Sequence, residues 1–364
     1  MTAGSAAERA SSLVDPPPAG SALRGFASDN CSGVHPEVLA AIAAANFGHQ
    51  YSYGADANSQ RLQAIFQRHF GSAAQAFPVF NGTGANVVAL QAMTTRWAAV
   101  VCSSVAHVNV DEGGAPESVG GLKLLAVPTD SGKLTPGLFD AALPRRDGVH
   151  QASPQVLSLT QSTELGTLYS VDELAALCDR AHRAGMTVHM DGARLCNAAA
   201  TLDRPLRAIT TDVGVDVLCF GGTKNGLLLG EVVVVLNPEA APGLERARKT
   251  SMQLASKMRF ISAQFDALLG TDLWLRNARH ANAMAQRLAT AVAELPGVTV
   301  QHEVDANAVF AVLPADAEAA LRTRVSFSDW NTAGAAVRWM TSFDTTEDDV
   351  DHFVATLGEV LAGG

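Results

Sequence analysis

The stretch Asp216-Val-Leu-Cys-Phe-Gly-Gly-Thr-Lys-Asn-Gly226 decides the reading of this chain. Val215 to Phe220 is an apolar run that reads as a buried strand. It stops at the glycine pair Gly221-Gly222, and Lys224 then stands among small residues at the strand's carboxyl end. Open α/β sheets bind ligands at that end of their strands. A lysine held there and partly desolvated has a lowered pKa and a nucleophilic amine. Taken alone, such a lysine is more often solvated turn punctuation. The rest of the sequence changes that balance.

Strands and helices alternate through the first two-thirds of the chain. Before Lys224, strands are predicted at Phe77–Phe80, Ala98–Cys102, Lys123–Val127, Gln155–Thr160 and Met186–Met190. Helices are predicted from Pro36 to Asn46, from Ser59 to Phe70, from Val87 to Met93, and from the capping box Ser170-Val-Asp-Glu173 to Gly185. Alternation of this kind predicts a largely parallel sheet with right-handed crossovers. The strand Glu231–Leu236 follows Lys224. Beyond Pro238 the pattern becomes long helices, Leu254–Leu269 and Thr271–Glu294, with the strands Val298–His302, Ala308–Leu313 and Ala336–Ser342 and a last helix capped near Thr346. The expected organisation is a tail over residues 1–23, a large α/β domain over 24–244 and a smaller α+β domain over 245–364. The tail is Ala/Ser/Pro-rich and reads as disordered, without the pattern of a secretory signal.

Composition narrows the class. A hydrophobic share of 48% and a charged share of 17% describe a globular chain. The formal net charge of −10 speaks against nucleic acid or an anionic membrane as partner. Cys31, Cys102, Cys178, Cys196 and Cys219 have no metal-ligand spacing, and the histidines form no HxxxH pair. Reduced thiols in a cytoplasmic protein are expected, with no metal site.

Three further features share strand ends with Lys224. Asn81-Gly-Thr-Gly-Ala-Asn86 is a glycine turn leading into a helix, where free amides and the helix dipole suit a phosphate. Alone it reads equally well as an ordinary turn. Asp191, in His189-Met-Asp-Gly-Ala-Arg194, follows an apolar strand and needs a cationic partner if buried. Either Arg194 or a protonated heterocycle fits. His107 lies just past a strand, ahead of Asp111-Glu-Gly-Gly114, where a loop histidine is the plain alternative. Together, a phosphate cradle, a strand-end carboxylate and a strand-end lysine are the parts that pyridoxal phosphate chemistry requires.

The chain resembles the low-specificity threonine aldolases, pyridoxal phosphate enzymes of fold type I with an aspartate-aminotransferase-like large domain. The matching residues are Phe26-Ala-Ser-Asp-Asn30, Tyr53-Gly-Ala-Asp56, the Asn81–Asn86 turn, Ala106-His107, Glu112-Gly-Gly114, His189–Arg194 and Cys219–Gly226, continued by Lys257-Met-Arg259 and Arg338. The resemblance implies that Lys224 holds the cofactor's aldehyde and that Asp191 pairs with its ring nitrogen. Gly82 and Thr83 would hold the phosphate, and His107 would stack on the ring. Arg194 would lie near the ring oxygen or the substrate carboxylate, which Ser28 and Arg338 would bind. Tyr53 and the Lys257/Arg259 pair would reach the site across a dimer interface, so a homodimer is the minimum unit and a tetramer is common.

The implied reaction is retro-aldol cleavage of L-threonine, L-allo-threonine and similar β-hydroxy-α-amino acids to glycine and an aldehyde. Alternatives are β-elimination, a phenylserine-type aldolase, and a non-catalytic protein on the same fold. One departure concerns the base. Many relatives carry Thr-His after the fifth strand, whereas Gln161-Ser-Thr-Glu-Leu-Gly166 here places Glu164 at that position. His107, directly or through a water, is the first candidate for the base and Glu164 the second.

Overall fold

The computed structural model describes residues 24–144, 148–330 and 336–363; the predicted tail lies outside them. The larger sheet contains β1 (Gln75–Val79), β2 (Ala98–Ser103), β3 (Lys123–Val127), β4 (Ser153–Thr160), β5 (Thr187–Gly192), β6 (Val217–Gly221) and β7 (Glu231–Val235). Their order across the sheet is β1-β7-β6-β5-β4-β2-β3. From β6 to β3 every pairing is parallel. β7 is antiparallel to both β6 and β1. The sheet is largely parallel, as the alternating pattern predicts; the short link from β6 to β7 holds no crossover helix, so there the chain turns straight back.

Both faces of this sheet are buried, which explains its near-continuous apolar strands. Leu157, Leu159, Val188, Met190, Leu218 and Phe220 enter one core cluster. Val156, Val217, Cys219, Val233 and Val235, one residue out of phase, enter another. The smaller sheet is antiparallel throughout, in the order β10 (Ser328–Asp329), β11 (Ala336–Met340), β9 (Ala308–Val312) and β8 (Thr299–Val300). Its core gathers Val309, Val337, Trp339, Phe353 and Leu357. Phe26 joins this third cluster and bridges to Phe327, so the first described residues belong with the smaller sheet. Met258, Ile261, Phe265 and Leu269, past residue 245, pack into the first cluster. The helix Leu273–Ala293 touches both: Leu273 and Ala278 lie in the first cluster, and Met284, Leu288 and Val292 in the third.

Several boundaries move for local reasons. The helix expected from Ser59 begins at Ala57, because the Asp56 carboxylate caps it by accepting the Ser59 N–H at 2.8 Å. The glycine turn is itself the first turn of a helix, Gly82–Met93, capped by Asn81. The long helix expected from Leu254 starts only at Arg259, and an unexpected helix, Leu244–Thr250, precedes it. Met252 separates the two with a left-handed φ of 61°. The capping box at Ser170 is present as expected. Thr346 and Asp349 cap the last helix reciprocally, with Thr346 N–H on Asp349 Oδ2 at 2.8 Å and Asp349 N–H on Thr346 Oγ1 at 3.2 Å.

Candidate active site

Parallel neighbours end on the same side of a sheet, and four of them carry the predicted site residues. His107 follows β2, Glu164 follows β4, Asp191 lies in β5 and Lys224 follows β6. Gly82, at the start of its helix after β1, joins them. Gly82, His107, Glu164, Asp191, Arg194 and Lys224 line one cavity.

Lys224 lies in a short 3₁₀ turn, Thr223–Asn225. Burial first, and then the Arg194 guanidinium, lower its pKa; Asp29, Asp191 and Glu231 act in the opposite direction. The two glycines before it have packing reasons of their own. A Cβ on Gly221 would lie 2.3 Å from the Ala193 carbonyl oxygen, and one on Gly222 would lie 2.8 Å from the Gly230 carbonyl oxygen. Close approach to a cofactor is what the sequence suggests for this pair; here the tight contacts are with the chain itself. Gly221→Ala is therefore expected to cost about 1–3 kcal/mol of stability, measured by urea denaturation.

Asp191 is buried and held below the usual carboxylate range. Burial alone would raise its pKa, but the Asn86 amide, the Ala193 N–H and Lys224 outweigh it. Asn86 Nδ2 donates to Asp191 Oδ2 at 2.9 Å and to Glu112 Oε1 at 2.8 Å. The same Glu112 oxygen meets His107 Nδ1 at 3.0 Å. That contact raises the pKa of His107 against the effect of burial. One amide thus links the strand-end carboxylate to the histidine that faces it. On the same sheet face as Asp191, His189 contacts the Ser158 hydroxyl at 2.9 Å and the Cys219 thiol at 3.2 Å. Burial brings its pKa down to about 4, so it is neutral at neutral pH.

Arg194 does not pair with Asp191, the plainer of the two partners that the sequence allows. It makes a two-point contact with buried Asp29, at 2.7 and 2.9 Å. Asn307 donates to the same carboxylate at 3.0 Å. Glu164 Oε1 accepts the His107 backbone N–H at 2.8 Å and the Thr160 hydroxyl at 3.0 Å. Its Oε2 is buried and has no hydrogen bond among the described residues. Burial and the neighbouring Asp191 push the Glu164 carboxyl up to about 7.

The remaining predicted residues sit around this cavity or apart from it. Ser28 Oγ caps the turn that holds Asp29, accepting the Asn30 N–H at 3.1 Å. Arg338, on β11, rests over the Trp330 ring at 4.7 Å, with its Nε buried and unpaired among the described residues. Burial and Arg194 lower its pKa. Thr83 lies in the first turn of its helix, next to Gly82. Tyr53 lies in a separate cleft with Arg248 and Lys249, and Lys257 and Arg259 line another. Within one chain these three are not brought to Lys224. Asn86, Asp29 and Glu231 carry contacts around the lysine or Asp191 to which the sequence alone assigns no role.

The sequence profile of the beta-eliminating lyases matches residues 25–316. The chain belongs to the beta-eliminating lyase family. Among members of the family, it is 46% identical to the low specificity L-threonine aldolase of Pseudomonas aeruginosa, over 92% of this chain and 97% of that protein. It is 42% identical to the enzyme of the same name from Pseudomonas sp. strain NCIMB 10558, over 93% of this chain and 98% of that one. The solved threonine aldolase of Leishmania major superposes with a TM-score of 0.86 at 25% identity, covering 92% of this chain and 99% of that one. As a beta-eliminating lyase family member, the chain has the α/β architecture of its structural neighbours, built on a mostly parallel seven-stranded sheet.

The residues fit pyridoxal phosphate. A half-buried lysine with a depressed pKa, an ionised buried carboxylate and the open amide end of the Gly82–Met93 helix border the same space. Nothing lies within 4 Å of a Cβ built on Gly82, so the helix start is sterically open.

Proposed function

We propose that this chain is a pyridoxal-phosphate-dependent aldolase that cleaves L-threonine, L-allo-threonine and related β-hydroxy-α-amino acids to glycine and an aldehyde. The observation that carries the reading is the placement of Lys224 and Asp191 at the ends of neighbouring strands, β6 and β5, in one buried cavity. The names of its Pseudomonas relatives point to the same substrates. Pyridoxal phosphate held by Lys224 would supply an electron sink for bonds at the substrate's α-carbon.

The chain's own residues would do the rest. Asp191 keeps a negative charge where a ring nitrogen is to stay protonated. The N–H groups of Gly82 and Thr83 would hold the cofactor's phosphate, and His107 would lie against its ring. Arg338, a half-buried cation with a buried, unpaired Nε, takes the substrate carboxylate, since Arg194 is already held by Asp29. A base then removes the β-hydroxyl proton, the Cα–Cβ bond breaks and the aldehyde leaves. The α-carbon regains a proton to give glycine. Aldehyde release from L-threonine, L-allo-threonine and phenylserine, set against release of ammonia and keto acid, tests this reading. Keto acid and ammonia without aldehyde would replace it with β-elimination.

Glu164 is favoured as the base because it lines the cavity, its Oε2 has no hydrogen bond among the described residues, and its carboxyl is poised near neutrality. The pKa of His107 is raised by Glu112, which keeps its ring protonated to higher pH. The active form of Glu164 is the carboxylate, so activity should rise with pH through about 7, and Glu164→Gln should lose that limb. The expected fall in kcat is about 10²-fold or more. A normal pH profile in Glu164→Gln with a large loss in His107→Asn would return the role to the histidine.

A homodimer or tetramer is part of the proposal, supported by the exposed Phe47, Tyr51, Tyr53 and Met252, with Tyr51 in one cleft with Lys257 and Arg259. Sedimentation of the purified chain tests it. A cytoplasmic location is also proposed, in keeping with cysteines that are all free. Among the described residues no helix is long and apolar enough to cross a membrane.

A further inference from the structure

Glu231 opens β7, ahead of four valines, and pairs across the sheet with Gly221 on β6 and Val79 on β1. It is only 7% exposed. A carboxylate in that position is costly unless specific contacts compensate it. Its Oε2 accepts the Gly222 N–H at 2.6 Å, and the neighbouring Thr223 side chain favours its ionised form. The Thr223 hydroxyl also accepts the Gly230 N–H at 3.1 Å. Gly222 and Thr223 are the two residues before Lys224. The chain therefore leaves β6, presents the lysine, and returns to a carboxylate that fastens the start of the turn.

We infer that Glu231 is a positioning residue for Lys224, fastening its turn through Gly222 and Thr223 and serving as a counter-charge for its amine. The charged and titratable groups facing that amine are Arg194, Asp29, Asp191, Glu231 and His107; those facing Glu231 are Lys224 and Asp191. Asp29 is engaged by Arg194 and Asn307, and Asp191 by Asn86 and the Ala193 N–H. Glu231 alone among the three accepts a backbone N–H from the residues that lead into the lysine's turn. Its contacts serve no other role described above, and a valine would continue the strand equally well. Burial pushes the Glu231 carboxyl up to about 7, so above that pH, where it is ionised, removing it lowers the affinity of the Lys224 nitrogen for its proton, because an attractive charge is lost.

The inference rests on the reading of Lys224 as the cofactor-bearing lysine. Its test is a pH titration of the visible absorbance of protein reconstituted with pyridoxal phosphate, for wild type, Glu231→Gln, Glu231→Asp and Lys224→Ala. The titration midpoint should fall by roughly 1 pH unit in Glu231→Gln. Glu231→Asp, which keeps the charge, should recover part of that shift. Glu231→Ser covers the case in which the amide variant does not fold, and the same downward shift is expected. An unchanged midpoint in the folded Gln or Ser variant overturns the role of Glu231 while leaving Lys224 in place. A visible band that survives in Lys224→Ala overturns the assignment of the lysine, and this inference with it.

Discussion

Lys224→Ala is expected to release aldehyde from L-threonine at a rate on the order of 10⁴-fold or more below wild type, and to bind pyridoxal phosphate without the visible band of the parent protein. Losses of this order follow the removal of a group that enters the covalent course of a reaction. No substitute stands nearby, since Lys224 is the one lysine lining the cavity among the described residues. Burial depresses its pKa, which increases the share of free amine available to attack an aldehyde. Circular dichroism should show an intact fold, because the side chain projects into the cavity while its turn is held by backbone contacts. Threonine turnover within tenfold of wild type would rule out the covalent role.

Asp29→Ala should cost about 3–5 kcal/mol of stability, the cost of leaving a buried cation without its partner. Asp29 is buried and meets Arg194 in a two-point contact at 2.7 and 2.9 Å. Asn307 uses one amide nitrogen to reach both the Asp29 carboxylate, at 3.0 Å, and the Thr341 carbonyl, at 2.7 Å. The substitution thus loosens the first described turn, the segment after β5 and the smaller sheet together. Activity should fall as well, because an unpaired Arg194 would compete with Arg338 for the substrate carboxylate. The pH dependence has a definite sign. Burial pushes the Asp29 carboxyl up, but Arg194 outweighs it and brings the value to about 2 from an ordinary 3.8. A carboxyl depressed in the folded state stabilises it fully above the ordinary value and loses that effect as pH falls through about 2. Urea denaturation at neutral pH should separate the variant from wild type, and the gap should narrow toward pH 2. Equal midpoints at neutral pH would mean that the pair contributes nothing.

The strand that ends before Lys224 was legible because its apolar run is buried on both faces and stops at glycine. Asp191 was legible for a similar reason, as a charge directly after an apolar strand. The partner of Arg194 was not, because Asp29 is 165 residues away in sequence and no local pattern joins them. Glu231 was hidden differently: one charge at the head of a valine run looks like the edge of a strand. The direction of β7 followed from a short link, a property of chain length that hydrophobic periodicity does not encode. The break before Arg259 depended on Met252, an apolar residue in a left-handed conformation that its type does not announce. Local chemistry was readable wherever a residue's neighbours in sequence are its neighbours in space, as at the Ser170 cap.

The helix Leu273–Ala293 has a mechanical consequence. Its first turns are embedded in one core and its later turns in another, without a break between them. A rigid rod anchored at both ends leaves little freedom for the smaller sheet to swing as on a hinge. Phe26, reaching from the other end of the sequence to Phe327, acts as a second strap. Any movement that brings Arg338 closer to Lys224 is then confined to small sliding of packed surfaces. The distance between Arg338 and Lys224 is accordingly set at folding, like the gap of a fixed caliper, and with the roles proposed for these two residues substrates would be measured against it.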